Sequence, residues 1–178
     1  MLYVPPISDY HPFYVQFASG NAKNILTDYS VVVKAHDYPI ALKVKEPYKN
    51  DWKDENGDEE YIPSAGLKVE AFTFKLECAM FARPTEASQG VSAQTEMEVL
   101  NAGIRTFRSA LISGGLFKTY DSWTGFGFQN VRLSEFPMPN QDAYDAVDGM
   151  ARVIFTVILK VNDPTTHMKL SGNSIISG

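Results

Sequence analysis

The sequence predicts an α+β fold: a mainly antiparallel β-sandwich with one flanking α-helix at about residues 92–113 and a long projecting loop or hairpin at about residues 46–64. Three observations predict it. Residues 67–82, "LKVEAFTFKLECAMFA", alternate apolar and polar side chains with a period of two, as a strand with one buried face does. Residues 92–113 switch to a period near 3.6, with Met97, Leu100, Ile104, Phe107 and Leu111 on one helical face. No second helical period alternates with the strands, which argues against a doubly wound fold.

The elements follow in order. Residues 1–28 carry Pro5-Pro6, Pro12 and the polar run "SGNAKN" and read as an N-terminal arm, with a short strand near residues 13–17. "YSVVVKA" (29–35) is rich in β-branched residues and predicts a strand, and "PIALKVK" (39–45) predicts a second. Residues 46–64 are charged, and Asn56-Gly57 near their middle supplies the positive φ angles of a tight hairpin turn. In 67–82, Phe72, Phe74, Leu76, Cys78 and Met80 share the apolar face. The helix has Ser92 as its N-cap, Glu96 in its first turn and Gly114-Gly115 as its left-handed exit. Burying its five apolar side chains contributes roughly 1.5–3 kcal/mol each.

"GLFKTYDSWTGFGFQNVRL" (115–133) predicts a hairpin: a strand at 116–120, the turn "DSWTG", and a return strand at 126–133. Phe126 and Phe128 share a parity that Val131 and Leu133 do not, so a β-bulge is expected near Gln129-Asn130. "PMPNQDAYDAVDG" reads as a loop with room for one helical turn. "ARVIFTVILKV" (151–161), apolar on both faces, predicts a central strand stopped by "NDP" at 162–164. Residues 162–178 read as a polar tail. The organisation is thus an arm (1–28), a core domain (29–161) and a tail (162–178).

Composition bounds function. The chain has 178 residues, 44% hydrophobic and 12% aromatic, and can bury a substantial core. A net charge of −5 argues against a nucleic-acid backbone as the main partner, since phosphate binding needs a basic face, and no sequence-specific nucleic-acid binding is expected. No window approaches a membrane span, and the N-terminus lacks the basic and apolar regions of a signal peptide. One cysteine, Cys78, rules out an intrachain disulfide and fits synthesis in a reducing cytoplasm.

Each motif with chemical promise meets a plainer alternative. "GFGFQN" follows a helix and opens a strand, the reverse of a dinucleotide-binding loop, so Gly125 and Gly127 are expected to serve the turn and the bulge. Phe117, Tyr120, Trp123, Phe126 and Phe128 suit a sugar-stacking platform, but buried aromatics are the commoner case. Asp54, Asn56 and Asp58 imitate the start of a calcium loop, yet Glu59 stands where its glycine belongs and Ala65 where its glutamate belongs. His11, His36 and His167 have no ligand spacing, and Cys78 lies on an apolar strand face. No catalytic residue, cofactor or metal ligand is therefore assigned, and no enzymatic activity is expected. The projecting segment is the candidate interface: Tyr48, Trp52 and Tyr61 flank Asp54, Glu55, Asp58, Glu59 and Glu60, aromatic anchors beside a polar rim.

The order "DYSVVVKAHDYPIALKVK", acidic "KNDWKDENGDEEYIP", "GLKVEAFTFKLECAMFA", helix, "GGLFKTYDSWTGFGFQNVRLSEF" and "ARVIFTVILKV" resembles the ring-forming domain of tailed-phage tail proteins, especially the distal-tail (baseplate hub) family. Tail-tube proteins share its fold. The resemblance covers about residues 28–161 and is one of pattern, with no diagnostic motif. It implies a non-enzymatic structural subunit of a virion tail, made in the host cytoplasm. It implies a homo-oligomeric ring, a hexamer in that family, contacting neighbouring tail proteins. Distal tail or hub is the first station, tail tube or terminator the next. The chain is too short for the second domain of larger members. The residues leave one alternative open, a carbohydrate- or ligand-binding β-sandwich module using Trp52, Trp123 and the acidic loop.

Overall fold

The computed structural model describes residues 1–3, 12–18, 20–39, 42–50, 59–83, 94–147 and 150–178. The expected N-cap Ser92 and the Asn56-Gly57 turn lie outside them. The architecture is α+β and mostly antiparallel. Twelve strands are present among the described residues: β1 (Leu2–Tyr3), β2 (Phe13–Gln16), β3 (Lys23–Asn24), β4 (Val32–His36), β5 (Tyr48–Asn50), β6 (Glu59–Tyr61), β7 (Phe72–Ala82), β8 (Phe117–Asp121), β9 (Gly127–Glu135), β10 (Tyr144–Val147), β11 (Met150–Ser171) and β12 (Ser174–Ser177). Ten of them join one sheet ordered β1-β7-β11-β9-β8-β2-β3, with β4 beside β7 and with β10 and β12 beside β11. β5 and β6 form a two-stranded sheet of their own.

That ten-stranded sheet is strongly curled. β4 and β8 are separated along it by β7, β11 and β9, which in a flat sheet would hold them about 19 Å apart. Instead His36 Nε2 at the end of β4 lies 3.1 Å from Asp121 Oδ2 at the end of β8. The inside of the curl is a continuous core that includes Phe13 and Val15 of β2, Phe74, Leu76, Cys78 and Met80 of β7, Phe117 of β8, and Val153, Phe155, Val157, Leu159 and Val161 of β11. The even-numbered face of β7 is thus the buried one, as its alternation predicts.

Helix α2 (Gln94–Ser113) closes that core. Leu100, Ile104, Phe107 and Leu111 are buried, and Met97 is half-buried. Gly103 lets the helix approach the sheet: a Cβ there would sit 3.1 Å from Leu2 Cδ1 and 3.2 Å from Met80 Sδ. Gly115, at φ +60°, makes the left-handed exit. The β8–β9 hairpin follows, and its bulge falls where parity places it. Phe117 pairs with Val131 and Thr119 with Phe128, so Lys118 faces both Gln129 and Asn130. Asn130 takes a φ of +52° there.

Four features differ from the sequence expectation. A second helix, α1 (Ile25–Tyr29), one and a half turns long, is capped by the Asn24 side chain, which accepts from the Leu26 N–H. Its Ile25 and Leu26 are buried, so the segment read as an arm contributes both a strand and a helix to the core. Among the described residues of the segment 39–45 the expected strand does not appear, and only Val44 bridges, to Val69. The reason lies at Asp37, whose carboxylate accepts the Lys75 N–H where the next carbonyl of a strand would, which ends the pairing with β7. Residues 144–147, read as loop, pair with β11 as β10.

The fourth difference is β11, which does not stop at Asn162 but runs for 22 residues. Pro164 falls inside a register shift against β9, between Asp163 and His167, where the ladder asks no N–H of it. The Asp163 carboxylate holds the irregularity together. It accepts from Gln129 Nε2, from the Thr165 N–H and hydroxyl, and from the Thr166 hydroxyl. Beyond it β12 folds back on β11, and Met168 and Ile175 of the expected tail are buried. The two chain ends meet here: Ile175 N–H donates to Gln16 Oε1 at 2.7 Å, and Ala22 N–H to the Asn173 carbonyl at 2.8 Å.

The hydrogen bond from Gln129, then those from Thr165 and Thr166, lower the Asp163 pKa from 3.8 to about 2. Its folded-state value lies below its unfolded value, so its stabilisation is present above pH 3.8 and is lost as pH falls through about 2. Asp163→Asn is therefore expected to lower stability at neutral pH and to flatten the acid limb of the stability profile between those values. Urea midpoints measured across that range check this, and parallel profiles for parent and variant would rule it out.

Candidate functional site

The projecting segment forms a ribbon. β5 and β6 pair antiparallel with Tyr48 opposite Tyr61, Lys49 opposite Glu60 and Asn50 opposite Glu59. Nearer the body, Val44 bridges Val69, the Lys45 N–H donates to the Lys68 carbonyl, and the Glu70 N–H donates to the Lys43 carbonyl. Residues 43–50 and 59–70 thus make one two-stranded arm. Tyr48 is 71% exposed and Tyr61 67%. Leu42, Val44, Ile62 and Leu67 are exposed along the same arm. Of the interface residues expected from sequence, the structure brings Tyr48 and Tyr61 together and sets Glu59 and Glu60 on β6. Trp52, Asp54, Glu55 and Asp58 lie outside the described residues. Of the five-residue helical stripe, by contrast, Leu100, Ile104, Phe107 and Leu111 are core and Met97 is half-buried.

An isolated two-stranded ribbon is marginal in water, and this one leaves six large apolar side chains in solvent. Scattered single apolar residues need no explanation, but a row of them on one projecting element marks a contact surface.

A second feature sits where the curled sheet meets itself. Asp121 is 3% exposed. Its carboxylate accepts from the Trp123 N–H at 2.9 Å, from the Thr124 hydroxyl at 2.7 Å and from the Tyr38 hydroxyl, and His36 Nε2 lies 3.1 Å away. A carboxylate offers about four lone-pair positions; three donors occupy it, and the His36 ring lies alongside. Burial, followed by the charge and hydrogen bond of Asp121, pushes the Tyr38 hydroxyl far above its ordinary pKa, so it remains a donor. The Tyr38 ring packs against His36, Phe74, Phe126 and Phe128. The cluster works as a clasp between the ends of β4 and β8. Sequence reasoning missed it because positions 36, 38 and 121 meet only through the curl; no local pattern links them.

The aromatics weighed as a sugar platform divide. Phe117 is buried, Phe128 packs on Phe72 and Phe74, and only Trp123 and Phe126 are well exposed. Gly127 is required by a close approach, since a Cβ there would meet the Met168 carbonyl oxygen at 2.4 Å. Gly125 takes a φ of +71° in the turn. Cys78 is fully buried, and burial, with Glu77 beside it, pushes its thiol pKa well up, which leaves it unreactive. Among the described residues no group of three or more His, Cys, Asp or Glu side chains is placed to hold a metal ion. No helix among them is long and apolar enough to cross a membrane.

A cleft of about 590 Å³ lies between the C-terminal half of α2 and β9. Arg108, Ile112, Leu116, Arg132, Glu135 and Phe136 line it. Nothing local in the sequence associates Arg108 with Arg132. The chain matches no family model, no curated protein and no solved structure.

Proposed function

We propose that this chain is a non-enzymatic structural subunit that assembles with copies of itself into a ring, in a phage or phage-like tail. The distal tail or hub is the first assignment, the tail tube or terminator the next. The observation that carries self-assembly is the arm at residues 43–70, with Tyr48 and Tyr61 side by side and exposed on an element that packs on little else. The tail assignment rests on the resemblance of the element order. The curled antiparallel sheet with α2 packed against it is compatible with that reading, since one core lies between them. A ring would also give neighbours to the edges of β3 and β10, which each pair on one side only among the described residues.

Mass photometry and negative-stain microscopy of the purified chain test this. Annular particles near six times 19.8 kDa are expected. A monomer throughout the concentration series sinks the proposal. Monomer that binds a glycan array would favour a carbohydrate-binding module, for which the exposed Trp123 is the supporting observation.

Removing residues 51–60 and joining the strands with a short Gly-Ser bridge is expected to leave the thermal melt close to that of the parent and to abolish the ring. Rings that form unchanged would move the interface to the strand edges.

A further inference from the structure

We propose that the cleft between α2 and β9 is a binding site for a small organic monoanion, a carboxylate carried on an apolar body. Two guanidinium groups line it, Arg108 from the helix and Arg132 from the strand. Neither forms an ion pair among the described residues. Arg108 Nε is buried, and no described residue accepts a hydrogen bond from it. Among the described residues it is the only buried side-chain nitrogen or oxygen left so, whereas folded proteins satisfy nearly all such groups. A donor of this kind costs free energy until an acceptor meets it. The Arg132 guanidinium donates once, from Nη1 to the carbonyl of its neighbour Leu133, which leaves most of its N–H groups for a ligand.

The lining selects the ligand. Guanidinium groups grip a carboxylate through two parallel N–H···O bonds. Glu135 also lines the cleft, so two positive charges and one negative leave a net of one positive. A monoanion neutralises that, and a phosphate dianion overshoots it. Ser134 adds a hydroxyl donor. The remaining surface is largely apolar: Leu111 and Phe136 are buried there, while Ile112 is 59% exposed and Leu116 52%. An inorganic anion would leave those side chains in water, and a plain hydrocarbon would leave the arginines unpaired. The volume, about 590 Å³, is that of an ordinary small-molecule site, roughly 300–1,000 Å³. The site lies on one chain and does not depend on the self-assembly reading.

Titration calorimetry of the full chain with octanoate tests this, with octan-1-ol and inorganic phosphate as controls that each lack one half of the ligand. Octanoate is expected to bind one per chain, at least about tenfold more tightly than either control. Arg132→Gln is expected to weaken octanoate at least about tenfold, and since Arg132 is exposed the variant keeps its fold. Arg108→Met is expected to weaken it as much and yet to melt no lower than the parent, because it replaces an unsatisfied buried donor with an apolar chain. A lower melting temperature would mean that Arg108 braces the fold, and would strike it from the site. No octanoate binding at millimolar concentration, a control that binds as tightly, or binding unchanged in Arg132→Gln would overturn the proposal.

Discussion

Phe107→Asp is expected to detach α2 and unfold the protein under mild conditions. Phe107 is 2% exposed, and its ring lies 5.3 Å from that of Tyr29 and 6.2 Å from that of Phe136. Truncating a buried phenylalanine costs about 3–5 kcal/mol through lost transfer energy and the cavity left behind. A carboxylate adds the penalty of a polar group with no partner, and it will hold a proton to avoid burying charge. The sum rivals the total stability of a typical domain, about 5–15 kcal/mol. A melting temperature lowered by at least about 10 °C is expected by circular dichroism. A melt within a degree or two of the parent would mean the stripe does not carry the helix.

Asp121→Ala is expected to open the clasp. Three donors lose their acceptor at once, and the Tyr38 hydroxyl is enclosed by aromatic rings that offer no replacement. Leaving buried donors unpaired costs about 1–3 kcal/mol each where water cannot reach, so a loss of about 2–4 kcal/mol is expected after partial rehydration. Tyr38 should then ionise closer to its ordinary range, though not at it, because burial is the first cause of its shift and Asp121 the second. Ultraviolet titration of the variant against the parent reads this directly. Asp121→Asn keeps one acceptor oxygen but turns an amide toward donors, so it should fall between the two. An Ala variant as stable as the parent would show that the curl is held by its core alone.

What was legible in the sequence was whatever repeats locally. The α2 stripe, the alternation of β7 and the parity break at Gln129-Asn130 each leave a period that needs no knowledge of the rest of the chain. What was not legible depended on a distant partner. "PIALKVK" has strand composition, but Asp37 ends the pairing at Lys75, and nothing within residues 39–45 records that. Pro164 reads as a stop, yet a bulge against β9 accommodates it, and that bulge depends on Gln129, 34 positions away. Residues 144–147 look like loop because a short edge strand needs only a neighbour, and theirs follows in β11. For the candidate interface, composition located the arm, since aromatics among charges in a long connection stand out. It gave no sign of the Arg108–Arg132 cleft, which exists only once α2 and β9 are packed.

The bond between Ile175 and Gln16 spans 159 positions. Bringing such distant segments together costs chain entropy before any contact rewards it, so topologies of this kind fold slowly. On a ribosome, β2 emerges long before β12, and Phe13 and Val15 cannot be buried until β8 has been synthesised. The body therefore cannot finish until β12 is made. Until then its apolar strand faces stay open, which makes crowded expression the condition under which this chain should misassemble.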